Sequence, residues 1–94
     1  MKYTCPCCGY KTIGEEPPGT YEICSICYWE DDFVQFNDPD YEGGANIPSL
    51  RQAQRIYLKF GASHELFTSS VRKPLVYDIK DPEWTMLPDI KPRN

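Results

Sequence analysis

Five cysteines among 94 residues carry most of the chemistry this chain can offer, and four of them fall into pairs. Cys5-Pro6-Cys7-Cys8-Gly9 contains one C-x-x-C pair and Cys24-Ser25-Ile26-Cys27 the other, with fifteen residues between Cys8 and Cys24. Two residues between ligands let a tight turn aim both sulfurs at one point while backbone amides donate to them. Two such turns facing each other make a tetrahedral four-sulfur cage. Gly9 follows the first pair, where such a turn needs a residue able to take positive φ, and Pro6 fixes φ inside the turn. The spacing therefore predicts Cys5, Cys8, Cys24 and Cys27 as ligands of one metal ion. Zinc is preferred and iron is the alternative, since both accept four thiolates. Cys7 is read as a spectator, because a C-x-C or C-C pair closes a chelate poorly and nearby thiolates disfavour its own ionisation.

Other reactive constellations are sparse. His64 is the sole histidine and has no partner for acid–base work. A metal bound by four sulfurs has no open position for water, so metal-assisted hydrolysis is not expected, and the chain is read as a non-enzyme. Trp29-Glu30-Asp31-Asp32 sets an aromatic and three acids beside the second cysteine turn. These four are taken as a contact surface for a basic partner, most simply another protein; the competing view is a solvated turn whose acids pair with Arg51, Arg55 or Arg72. A nucleic-acid reading would use Arg51, Arg55, Lys59, Arg72 and Lys73, but the net charge of −4 opposes contact with phosphates. The charge is also uneven, with residues 1–46 at −7 and residues 47–94 at +3. Attraction between the two halves within one fold accounts for that asymmetry without an external partner.

A chain of this length buries a modest core and needs further stabilisation. Nine prolines and six glycines limit long regular elements, which adds weight to a metal as the organising centre. The odd cysteine count suits disulfide pairing badly. The first residues lack the apolar run of a secretory signal and no stretch is long enough to span a bilayer. The expectation is a cytoplasmic chain with reduced thiols and no membrane association.

The elements that must position the sulfurs are short. Residues 1–33 read as strand, cysteine turn, strand, loop, strand, cysteine turn, strand, with Thr20–Cys24 alternating as a half-buried strand does. Residues 34–48 form an acidic connector with no periodicity. Helix is predicted over 49–61: Ser49 and Gln52 form a capping box, Gly61 ends it, and Leu50, Ala53, Ile56, Tyr57 and Phe60 make an apolar face. Residues 74–79 read as a last strand. The fold class is α+β, a small zinc-ribbon-like antiparallel β unit with one amphipathic helix and a short C-terminal strand. It forms a single domain over residues 1–79, followed by an irregular tail over 80–94.

The segments Cys5-Pro6-Cys7-Cys8-Gly9-Tyr10, Cys24-x-x-Cys27-Tyr28-Trp29-Glu30-Asp31-Asp32, Gly43-Gly44-Ala45-Asn46 and Ser49-Leu50 together resemble the cysteine-rich CPCC family, small and mostly bacterial proteins. The resemblance spans residues 3–75 and implies a fold and a metal site more than an activity. The first turn by itself also resembles that of rubredoxins, iron proteins that carry electrons. The second turn departs from that pattern, because Tyr28-Trp29 follows Cys27 where a glycine would stand.

Overall fold

A computed structural model describes residues 2–89. Strands β1 (Tyr3–Thr4) and β2 (Lys11–Ile13) pair antiparallel, with Tyr3 opposite Ile13 and Thr4 opposite Lys11, and the first cysteine turn is the loop between them. That turn is closed by two backbone bonds, Cys5 N–H to the Tyr10 carbonyl and Gly9 N–H to the Cys5 carbonyl. The second turn repeats the scheme, Cys24 N–H to the Trp29 carbonyl and Tyr28 N–H to the Cys24 carbonyl.

Outside the second turn the pairing stops early. The strand expected over Thr20–Cys24 is reduced to a single bridge between Ile23 and Glu30. Tyr21 takes φ of 57°, off the pleat, because Asp31 binds the preceding residue: its Oδ2 accepts from both N–H and Oγ1 of Thr20. A polar side chain has captured backbone that alternation alone would assign to a ladder.

The connector is not the featureless loop expected over 34–48. Helix α1 (Phe33–Asn37) opens it, capped by Asp32, whose Oδ1 accepts from Gln35 N–H at 3.0 Å. Five residues are too few to show a helical period, and an acid beside a cysteine turn reads from sequence as a surface group. The rest of the connector winds around Gln35, which is fully buried. The two hydrogens of its Nε2 are shared among the carbonyls of Tyr41, Asn46 and Pro48, while its Oε1 accepts from Asn46 N–H and Nδ2. Asn46 in turn spans both backbone groups of Glu30, as a neighbouring strand would. The chain passes so close here that a Cβ on Gly44 would lie 2.8 Å from Asp32 Oδ2 and 2.9 Å from the Gln35 side chain.

Helix α2 (Leu50–Phe60) forms with the predicted capping box at Ser49 and Gln52 and a left-handed Gly61 at its end. Its buried residues are Leu50, Ala53 and Gln54, while Phe60 is exposed. Gln54 replaces Phe60 on the inner face because two backbone groups need it there: Nε2 donates to the Pro6 carbonyl and Oε1 accepts from Leu87 N–H. A single turn of 3-10 helix, Glu65–Phe67, follows; His64 caps it through Nδ1, which accepts from Leu66 N–H.

The strand expected over 74–79 is not formed. Asp78 instead closes a turn: its N–H donates to the Leu75 carbonyl, and its carboxylate accepts from Leu75 N–H and from both terminal nitrogens of Arg72. The next residues return to the first cysteine turn, where Lys80 bridges Tyr10 and Asp81 N–H donates to the Gly9 carbonyl. Residues 81–89 are irregular in backbone but anchored. Trp84 Nε1 donates to the Pro6 carbonyl, and Arg51 and Arg55 of α2 bind the carbonyls of Pro88 and Leu87. The remainder of the expected tail lies outside the described residues.

Candidate metal centre

The two turns bring Cys5, Cys8, Cys24 and Cys27 together, with all four sulfurs within 4.8 Å of one another. Cys5 and Cys27 lie 3.7 Å apart, as do Cys8 and Cys24. A disulfide would need a separation near ~2.05 Å, and all five cysteines are free thiols. A tetrahedral ion with zinc–sulfur bonds of about 2.3 Å would set the sulfurs about 3.8 Å apart. The four sulfurs therefore fit a single tetrahedral cation.

Their electrostatics point the same way. Burial pushes the Cys5 and Cys27 thiols well up, resisting ionisation. Cys24 is held low, because Cys27, Cys5 and Cys8 all turn towards it as donors. Thr12 Oγ1 donates to the same sulfur at 3.0 Å, joined by the N–H groups of Ile26 and Cys27. A buried cluster of this kind carries several thiolates only when a cation compensates them.

The two turns differ at one position. Gly9 takes φ of 80°, as expected after the second ligand, and Tyr28 takes φ of 72° at the equivalent place. Positive φ is costly for an aromatic residue. Tyr28 is held there from above by Phe67, with ring centroids 4.8 Å apart. The core around the cage is itself largely sulfur: the cluster comprises all five cysteines with Ile13, Ile26, Trp29, Leu50 and Ala53. Cys7 is buried in that cluster without joining the four converging sulfurs, and burial pushes its thiol up.

With two C-x-x-C turns on one cage, the sequence-wide pattern has a match: the model of the cysteine-rich CPCC proteins covers residues 3–78. The chain belongs to the cysteine-rich CPCC family. No curated protein matches it.

In this CPCC protein the other residues singled out in the sequence lie elsewhere than expected. Trp29, Asp31 and Asp32 are buried, and only Glu30 is half-exposed. A partner cannot reach the first three, because each is spent on the fold: Trp29 in the core, Asp31 on Thr20, Asp32 on α1 and on Ala45 N–H. Burial opposes the charge on Asp32, yet the N–H groups of Ala45, Gln35 and Val34 hold its carboxyl below the usual range. Nor do these acids pair with the arginines. Arg51 binds Asp40, Arg55 binds Asp89 and Arg72 binds Asp78, so the helix stripe of Arg51 and Arg55 is turned to internal use.

Three contributors escaped sequence reasoning. Thr12 supports Cys24, Gln54 supports the backbone of the first turn at Pro6, and Trp84 covers Gly9. None sits in a motif; each reaches the site only through the folded chain. Among the described residues no helix is long and apolar enough to cross a membrane.

Proposed function

We propose that this CPCC protein is a metal-stabilised binding module, in which Cys5, Cys8, Cys24 and Cys27 hold one structural zinc ion and the folded surface meets another protein. The observation that carries the metal assignment is the convergence of four buried sulfurs, two pairs of them 3.7 Å apart and all within 4.8 Å of one another. Four thiolates close the coordination sphere, so the ion would organise the fold and leave no position for substrate. Zinc is proposed over iron because Tyr28-Trp29 breaks the rubredoxin pattern after the second turn. The same β unit is then read as zinc-ribbon-like.

A module role rests on two features. Four of the five thiols converge as candidate ligands, Cys7 is buried beside them and His64 caps a 3-10 turn, which favours a binding role over catalysis. The surface, by contrast, keeps many large apolar side chains exposed. Protein purified from its native cell is expected to carry one zinc per chain by elemental analysis and to be colourless. Removing the metal with a chelator should unfold it, because structural zinc contributes on the order of 10 kcal/mol to domains of this kind. A red protein with a thiolate-to-iron absorption band would establish the iron reading, and retention of native circular dichroism after complete metal removal would overturn the structural role.

A further inference from the structure

The turn formed by residues 75–79 is built inside out. Its polar member, Asp78, is only 10% exposed and is clasped by Arg72 and by the Leu75 N–H. Its apolar members face outward: Val76 is fully exposed, Tyr77 72%, Ile79 61% and Leu75 47%. Burial normally sorts side chains the other way, and several adjacent apolar side chains held out on a hydrogen-bonded turn mark a contact element. The clasp matters as much as the exposure. A turn already fixed by a two-pronged Arg–carboxylate pair loses little entropy when a partner closes on it.

The chemistry of the partner follows from what lies at the base of the turn. Tyr77 and Ile79 form one wall of a cleft of about 490 Å³ whose other lining residues include Lys2, Lys11 and Arg72. Asp78 is the one acid in that cleft and it is spent on Arg72, which leaves the ammonium groups of Lys2 and Lys11 without an ion pair among the described residues. An apolar tip beside two lysines that hold no salt bridge among the described residues fits a pocket that is apolar within and rimmed by carboxylates. An anionic membrane fits less well, since Asp81 and Glu83 stand behind the same two lysines and the chain carries −4 overall.

We propose that residues 75–79 are the element with which this protein docks into an acid-rimmed apolar pocket on another protein. The proposal rests on the binding-module reading and gives it a location, in place of the buried Trp29 surface. The test uses full-length protein in its native cell with a photo-crosslinking amino acid at Tyr77, and parallel probes at the exposed positions Glu15 and Val34. The expected result is a protein adduct formed from position 77 well above the other two, attached within a segment rich in apolar and acidic residues. Val76→Asp should cut that yield about tenfold, as loss of a central contact does, while zinc content and thermal midpoint stay unchanged. Lys11→Glu should reduce it as well. An adduct from Glu15 or Val34 but not from position 77 would overturn the location and leave the module reading standing. Adducts from none of the three would remove both. A lipid adduct, a basic target segment, or insensitivity to Val76→Asp would each refute the docking element.

Discussion

Two residues in the centre do more than their types announce. At Gly9, a methyl group would meet the Trp84 ring at 2.6 Å in addition to adopting φ of 80°. Gly9→Ala is therefore expected to cost roughly 2–3 kcal/mol, combining backbone strain with a displaced indole. A thermal melt of the metal-loaded protein reads this directly, and a loss under about 0.5 kcal/mol would mean that Trp84 yields freely. Gln35 is the second. It satisfies three carbonyls and the backbone and side-chain nitrogens of Asn46 from a fully buried position. Gln35→Leu preserves volume but strands the buried carbonyls of Asn46 and Pro48 and the Asn46 N–H, at an expected cost of about 2–4 kcal/mol. Urea denaturation with zinc held constant checks the figure, and Gln35→Glu should recover little of it, since a carboxylate cannot donate to the three carbonyls.

At the scale of elements, the 75–79 turn has a pH dependence that can be worked out. The Arg72 guanidinium, and after it the Leu75 N–H, hold the Asp78 carboxyl down to about 2. A carboxyl whose folded value lies below its unfolded one contributes its full stabilisation above the unfolded value, here about pH 4, and loses it as pH falls through about 2. The clasp is thus at full strength throughout the neutral range. Amide exchange at Leu75, corrected for its intrinsic rate, is expected to be the same at about pH 6 and about pH 8 and several-fold faster in Asp78→Asn at both. Equal exchange in the variant and the parent would show that the carboxylate does not close the turn. Helix α2 is different in kind: its cap, period and terminator are all local, so it should form wherever the apolar face finds a surface.

The whole molecule is organised by sulfur where larger domains use hydrocarbon. Half of the residues in its buried cluster are cysteines, so the proposed cation would share one place with the hydrophobic core and the two should be lost together. Unfolding followed by zinc release and by tryptophan fluorescence is expected to give coincident transitions. The described part of the C-terminal segment belongs to this unit. Trp84 binds the Pro6 carbonyl, and Lys80 lies over both Tyr10 and Trp84 at 4.8 and 4.9 Å from their ring centres. Truncation after residue 79 uncovers the first cysteine turn and frees Gln54 Oε1, and should lower the thermal midpoint by roughly 10–15 °C, corresponding to about 2 kcal/mol in a domain of this size. An unchanged midpoint would assign residues 80 onward a role outside the fold.

Features set by near neighbours in the chain could be read without coordinates. The C-x-x-C spacing forces each sulfur pair towards one point, Gly9 supplies the conformation that follows it, and Ser49, Gln52 and Gly61 bound α2; each needs four residues or fewer to specify it. What needed tertiary structure depends on partners distant in sequence. Asp31 and Asp32 look like surface residues until Thr20 donates to one oxygen of the first and Gln35 and Ala45 to the second. Trp29 looks like one until the cysteine cluster closes around it. Gln54 looks solvent-facing until Pro6 and Leu87 require its amide. The 74–79 segment has the composition of a strand, but Arg72 reaches Asp78 first and turns the chain back. Spacing can direct two sulfurs to a point, whereas burial and hydrogen bonding of a polar side chain are decided by whichever distant backbone groups lack a partner.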